Sequence, residues 1–127
     1  MSYQISEQDE KRAVRAAKKS NQRKCKMSAI ILCKSTDGKA YQILDAFNYN
    51  INEKAARRLS IHAEQHLAAK AAKKGLSLKD KTVLVYRLKA KGPGTSKPCS
   101  MCKSILEKAG VKYVIYHDGN IWIRERI

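Results

Sequence analysis

Two short motifs of metal-binding residues constrain the fold of this chain more than any other feature. They are His62-Ala63-Glu64 and Pro98-Cys99-Ser100-Met101-Cys102. One imidazole and two thiolates are ligands that zinc prefers. A structural zinc site has a fourth protein ligand, whereas a catalytic site keeps that position open. The pattern therefore predicts a fold that brings two distant segments together around a catalytic zinc ion.

Glu64 lies two residues after the histidine. This spacing is too short for the carboxylate to share the metal, but it suits contact with a water molecule bound there. Zinc lowers the pKa of bound water from about 15.7 to about 7, and a nearby carboxylate can then transfer protons. We predict His62, Cys99 and Cys102 as the zinc ligands and Glu64 as the catalytic acid and base.

The pattern of apolar and polar residues predicts alternating helices and strands. Helices are expected at 6–24, 62–74 and 98–109, with Ser6 as the first N-cap and Pro98 as the first residue of the last helix. The last helix is expected to bury Met101. Strands are expected at 27–34, 40–47, 82–88, 111–117 and 120–127, with a hairpin turn at 36–39. Segments 48–61 and 89–97 are predicted to be irregular, the second forming one wall of the pocket.

The turn at Asp118-Gly119 is too short for a helical crossover, so the last two strands should be antiparallel. Both metal-binding helices follow the first hairpin and can pack on one sheet. The element order therefore favours a three-layer α/β/α arrangement.

Length and composition limit the classes of protein to which the chain can belong. A chain of 127 residues suits a single domain over 1–127, and no apolar run approaches the ~20 residues of a membrane helix. The polar, acidic N-terminus does not resemble a secretory signal, which favours a cytoplasmic protein. Cys25 and Cys33 are then expected to be free thiols.

The charge is strongly positive, with 27 Lys and Arg against 11 Asp and Glu, a net +16. Such an excess on a small domain favours a polyanionic partner, and nucleic acid is the first candidate. The alternative is lysine enrichment that only keeps the protein soluble, since the charge is spread along the chain. The basic face of the first helix is open to both interpretations: Lys11, Arg12, Arg15, Lys18, Lys19, Arg23 and Lys24.

His-x-Glu followed by Pro-Cys-x-x-Cys is the signature of zinc-dependent nucleobase deaminases. The chain resembles the cytidine deaminase-like superfamily over most of its length. The resemblance implies a five-stranded mixed sheet with the two zinc helices side by side. It also implies hydrolysis of cytosine to uracil, or less readily of adenine to hypoxanthine. His66, which follows His62 by one helical turn, is expected to pack beside the site and not to bind the metal.

Nucleoside deaminases have Phe-Asn-x-Glu where this chain reads Phe-Asn-Tyr-Asn at 47–50, and their Asn and Glu hold the ribose. Asn48 matches the asparagine, whereas Asn50 replaces the glutamate. A carboxylate there would repel phosphates, so its loss weakens the case for a free nucleoside. Phe47 suits either the base pocket or the core. The expected substrate contacts are Asn48, Phe47, Ala63 and Pro98, and the possible nucleic-acid contacts are Lys91, Lys97, Lys103 and Trp122.

Three functions remain open from the sequence. The first is deamination of a base in single-stranded nucleic acid, with cytosine favoured over adenine. The second is deamination of free cytidine, deoxycytidine or their monophosphates; antiparallel final strands resemble nucleoside deaminases, some bacterial toxin deaminases and plant editing domains. The third is a non-catalytic nucleic-acid-binding protein, against which the intact Glu64 argues. Association into a homo-oligomer is compatible with each.

Overall fold

The structure is a computed structural model that describes residues 4–22, 25–32, 44–51 and 59–127. The elements within these ranges are α1 (Glu7–Ala17), β1 (Lys26–Leu32), β2 (Asp45–Phe47), β3 (Tyr49–Ile51), β4 (Leu59–Ile61), α2 (Ala63–Lys73), β5 (Thr82–Lys89), β6 (Gly92–Gly94), α3 (Ser100–Lys108), β7 (Tyr113–His117) and β8 (Trp122–Arg126). None of the helices in this described part is long and apolar enough to cross a membrane.

The central sheet has the strand order β2-β1-β5-β7-β8, and β6 pairs with β5 beside this path. The β5–β7 pair is parallel, with Val83 opposite Val114, and the other pairs are antiparallel. A parallel pair requires a crossover connection, which α3 supplies. The short Asp118-Gly119 turn makes β7 and β8 antiparallel, as the sequence predicted. The mixed sheet is therefore confirmed.

The sheet is buried on both faces, which explains the continuous apolar run in β5. Val83 and Val85 pack on the side that carries α2 and α3, whereas Leu84 and Tyr86 pack on the side of α1. Successive side chains of a strand point to opposite faces, so a strand between two layers must be apolar at every position. This arrangement confirms the three-layer α/β/α fold.

Helix α1 begins at the predicted Ser6 cap, whose Oγ accepts a hydrogen bond from Asp9 N at 3.1 Å. It ends at Ala17, earlier than the predicted residue 24, because Ser20 and Asn21 favour turns over helix. The predicted basic face is also reduced. Arg12 Nε lies 2.6 Å from Asp45 Oδ1, so this residue joins α1 to β2. Residues 23 and 24 lie outside the described residues.

Two segments predicted to be irregular contain strands. Residues 48–61 contain β3 and β4, which pair with Tyr49 opposite Ile61, and residues 89–97 contain β6. The predictions missed these strands because three-residue segments show too little apolar alternation. The predicted turn at 36–39 and the parts of strands at 33–34 and 40–43 lie outside the described residues.

Helix α3 begins at Ser100 with Cys99 as its N-cap, so the prediction that Pro98 opens the helix was wrong by two residues. Cys102 and Leu106 lie one turn apart on the buried face of α3. Met101 lies about 100° around the helix from Cys102 and is 47% exposed, contrary to the expectation that α3 would bury it.

Candidate active site

The candidate metal ligands lie at the first turns of two helices on the same side of the sheet. His62 is the N-cap of α2, and its backbone N–H donates to Gln65 Oε1 at 2.8 Å, which fixes the helix start. Cys99 is the N-cap of α3, and Cys102 follows in the first turn. The positive end of a helix dipole stabilises thiolates, so this position suits both cysteines.

The three side chains converge with a geometry that fits zinc. His62 Nδ1 lies 3.2 Å from Cys102 Sγ and 3.8 Å from Cys99 Sγ, and the three ligand atoms all lie within 4.8 Å of one another. A tetrahedral zinc ion with ordinary bond lengths separates a nitrogen ligand from a sulfur ligand by about 3.6 Å. The donor set and the distances therefore match a zinc site with one position left for water or substrate.

Cys102 is fully buried, and burial raises the pKa of its thiol; the neighbouring Glu64 and Cys99 raise it further. A thiolate at this position therefore needs a compensating positive charge. A coordinated zinc ion supplies that charge, because it deprotonates a coordinating thiol. The chemistry of the buried thiol thus agrees with the geometry.

Glu64 lies in the first turn of α2 and is 3% exposed. Burial raises the pKa of its carboxyl group, partly offset by hydrogen bonds to its own backbone and Cys102 and by attraction to His62. Burial favours the neutral form of a carboxyl group, whereas a zinc ion bound beside it would favour the charged form. The position and environment suit the acid–base role predicted for Glu64.

His62, Glu64 and Cys99 line a cavity of about 220 Å³. Its lining consists of Gln22, Cys25, Met27, Asn48, Ser60, His62, Ala63, Glu64, Lys97 and Cys99. Drug-sized ligands occupy sites of about 300–1,000 Å³, so this cavity suits one nucleobase and part of its sugar. Within this lining Glu64 is the single carboxylate and Lys97 the single lysine.

Asn48 and Ala63, two of the expected substrate contacts, line the cavity. Asn48 also has a structural role that the sequence did not indicate. Its Oδ1 accepts from Met27 N at 2.8 Å, and its Nδ2 donates to Cys25 O at 2.7 Å. Because Nδ2 carries two hydrogens, one remains for another acceptor.

Phe47 and Pro98 do not belong to this lining. Phe47 faces a second hollow, where its ring centroid lies 4.8 Å from that of His66 in a T-shaped contact. The Nδ1 atom of His66 lies 2.9 Å from Phe47 O, and burial lowers the pKa of His66. His66 thus packs beside the site, in agreement with the sequence analysis.

The four possible nucleic-acid contacts are dispersed. Lys97 lines the cavity, whereas Lys91 is exposed at the turn between β5 and β6. Lys103 Nζ forms an ion pair with Glu125 at 2.9 Å. Trp122 stacks on Tyr86 at a centroid distance of 5.9 Å, in the core on the α1 side of the sheet. Trp122 therefore has a packing role on the opposite face from α2 and α3.

Four further residues line the cavity that no sequence pattern had indicated: Gln22, Cys25, Met27 and Ser60. Gln22 and Cys25 belong to the connection between α1 and β1, and the side-chain amide of Gln22 donates to Asn50 Oδ1 at 3.1 Å. No motif marks these residues, because they reach the cavity only through the path of the connection. Cys25 is a free thiol, as expected, whereas Cys33 lies outside the described ranges.

Comparisons with known proteins agree with this geometry. Residues 5–118 match the family described as the cytidine and deoxycytidylate deaminase zinc-binding region. The cytidine deaminase from Burkholderia pseudomallei has a TM-score of 0.68 at 15% identity, over 96% of this chain and 93% of that chain. The dCMP deaminase from cyanophage S-TIM5, solved with dCMP and dUMP, has a TM-score of 0.61 at 21% identity, over 87% and 82%.

No curated protein matches the chain. At 15% and 21% identity the solved structures show the fold alone. The family match covers most of the chain and includes the three metal ligands and Glu64. The chain therefore belongs to the cytidine and deoxycytidylate deaminase zinc-binding family and is a zinc-dependent hydrolytic deaminase.

Proposed function

We propose that the chain deaminates cytosine to uracil in single-stranded nucleic acid. The observation that carries the chemistry is the shared cavity, into which His62, Cys99 and the buried Glu64 all open. The carboxylate of Glu64 is 3% exposed beside three metal-binding groups, and a carboxylate buried at such a cost is typical of a functional site.

His62, Cys99 and Cys102 would hold the zinc ion, which acts as a Lewis acid and provides a hydroxide nucleophile at neutral pH when it is bound. Glu64 takes the proton that the attacking water loses and passes it to the ring nitrogen of cytosine. The same carboxylate then takes the remaining proton of the hydroxyl group added to the ring and delivers it to the exocyclic amine, so that the C–N bond breaks and ammonia leaves. Cytosine and water are consumed, and uracil and ammonia are formed.

The cavity volume of about 220 Å³ supports a substrate whose base is unpaired. A base within a duplex is stacked and paired, and it must leave the helix before it can reach a buried site. A single strand already exposes its bases, so it enters such a cavity at lower cost. The remaining nucleotides of a longer substrate would lie on the protein surface outside the cavity.

Two features favour a substrate that carries phosphate groups next to the target base. Lys97 lines the cavity and supplies the ammonium group that could contact a phosphate. Asn50, which replaces the ribose-binding glutamate of nucleoside deaminases, is neutral and accepts a hydrogen bond from Gln22. The net charge of +16 adds a favourable long-range field for a polyanion.

The second candidate is a deaminase of free cytidine, deoxycytidine or their monophosphates. The similar solved structures support it, because they are named as a cytidine deaminase and a dCMP deaminase. A monophosphate would need one cation at the cavity, and Lys97 is sufficient for that. Adenine deamination and a non-catalytic binding role are less well supported, the latter because Glu64 is intact.

Incubation of the zinc-loaded protein with cytidine, deoxycytidine, dCMP, single-stranded DNA and single-stranded RNA tests the proposal. Products are measured by mass spectrometry and ammonia release, with a duplex of the same sequence as the matched control. We expect the highest kcat/KM on a single strand and a steep loss of affinity with added salt. Turnover confined to nucleosides or mononucleotides would establish the second candidate instead.

A further inference from the structure

A second hollow of about 310 Å³ adjoins the catalytic cavity. It is lined by Lys19, Asn21, Phe47, Tyr49 and His66, and we call it the aromatic hollow. The deamination chemistry uses none of these side chains. Three rings and one lysine at the surface are nevertheless the groups that bind a nucleobase and a phosphate.

The linings of the aromatic hollow and of the cavity come from neighbouring positions in the chain. Asn48 lines the cavity, whereas its neighbours Phe47 and Tyr49 line the hollow. On α2, His66 follows the zinc ligand His62 by one turn, or ~6 Å along the helix axis. This adjacency places the hollow beside the cavity, where a nucleotide that flanks the target base could lie.

The rings are held in defined orientations. His66 lies edge-on to Phe47 and to Tyr49, at centroid distances of 4.8 and 5.0 Å and interplanar angles of 84° and 76°. The contact of His66 Nδ1 with the Phe47 backbone fixes the imidazole. Phe47 and His66 thus pack the end of β2 on α2, and Tyr49 of β3 is half-buried beside them.

The surrounding charge is positive. Lys70 donates to Asp45 O at 2.6 Å, and burial, followed by repulsion from Lys74 and Lys19, lowers its pKa. The carboxylate of Asp45 is already paired with Arg12. No carboxylate lies among the residues that line the hollow, so a phosphate would meet attraction there.

We propose that the aromatic hollow binds the nucleotide that flanks the target base in a single strand. Tyr49 stacks on the flanking base, and Lys19 contacts a phosphate. This inference rests on the proposed function, because a free nucleoside has no flanking nucleotide. It explains why a ring cluster and a lysine cluster adjoin a cavity that holds only one base.

The test uses the zinc-loaded full chain and oligonucleotides that carry 2-aminopurine beside the target cytosine. Variants Tyr49→Leu and Tyr49→Phe are compared, with Tyr113→Leu as the matched control, because Tyr113 begins β7 and contacts Lys112 and Arg124 instead. Loss of a stacked base typically lowers affinity about 5- to 160-fold. We expect that loss and reduced quenching for Tyr49→Leu, with Tyr49→Phe and Tyr113→Leu near the original protein.

A structural role would lower kcat/KM for dCMP and for the oligonucleotide together, so the ratio of the two values decides between the roles. A fall in that ratio for Tyr49→Leu supports the inference. For Lys19→Gln, the slope of log affinity against log salt should decrease by about 0.7. An unchanged ratio with active oligonucleotide turnover overturns the flanking site alone, whereas absence of turnover on every oligonucleotide overturns the proposed substrate and the inference with it.

Discussion

His62 Nδ1 lies 3.2 Å from Cys102 Sγ, although 40 positions separate the two residues in the chain. The contact depends on the parallel β5–β7 pair, because the crossover between these strands carries α3 alongside α2. Both helices then begin at the same edge of the sheet. The metal site is thus a consequence of how the helices connect to the strands.

Glu64→Gln should abolish most deamination while leaving zinc bound. The amide has nearly the same shape but cannot take the proton of the attacking water, and general acid–base catalysis contributes about 10²–10⁴-fold to rate. We expect kcat to fall by a factor in that range, measured by ammonia release. Metal content, measured by atomic emission, should stay at the original value; unchanged turnover would remove Glu64 from the mechanism.

Cys102→Ser should lose both zinc and activity, whereas Cys25→Ser should retain them. Both cysteines lie near the cavity, but only Cys102 belongs to the ligand cluster. Treatment of the original protein with a chelator should give the same inactive state and lower its melting temperature, because bound zinc stabilises the folded form. Equal zinc content in the two variants would contradict the assignment.

Lys97→Gln should weaken binding of phosphate-bearing substrates. Loss of one charged hydrogen bond costs about 10-fold in affinity, and the salt dependence should fall with it. The measurement is kcat/KM for oligonucleotide and for cytidine at several salt concentrations, with Lys91→Gln as the control at the exposed β5–β6 turn. An equal effect of both substitutions would mean that Lys97 contributes only general charge.

Ser96→Ala should destabilise the fold by about 1–3 kcal/mol. Ser96 is 1% exposed; its Oγ donates to Val85 O at 2.8 Å and accepts from His117 N at 2.9 Å. Alanine leaves both buried backbone groups without their partner. Urea denaturation measures the change, and exposed Ser104→Ala is the control, for which we expect almost none. A change within the control's range would show that the two groups find other partners.

The folded protein should lose stability on acidification partly through His66. Its pKa is lowered in the folded state, mainly by burial, so the unfolded chain binds the proton more readily. The contribution is present above the unfolded pKa of about 6.5 and is lost as the pH falls through the lower folded value. His66→Asn should therefore show a smaller fall in melting temperature between pH 7.5 and pH 5.5.

The original protein and the His66→Asn variant both contain His62, so loss of zinc at low pH affects the two proteins alike. The asparagine amide can replace the contact with the Phe47 backbone. Identical pH profiles would show that protonation of His66 does not limit acid stability.

The metal ligands and Glu64 could be predicted from the sequence because their chemistry depends on residue type and short spacing. The three-layer fold followed from local periodicity, and the antiparallel final strands followed from the length of one turn. Short-range signals were less informative about element ends. Helix α1 stops at Ala17, and α3 begins at Ser100, because caps and packing decide where a helix ends.

The tertiary structure decided which other side chains surround the site. Sequence alone could not separate Trp122, which packs on the α1 side, from Lys97, which reaches the cavity, because both are compatible with contact to nucleic acid. It contained no signal for Gln22 or Ser60, which line the cavity only because the fold brings the α1–β1 connection and β4 to the metal site. Residue types and spacing determined the chemistry, whereas the packing of distant segments determined the walls of the cavity, since only the folded chain sets those distances.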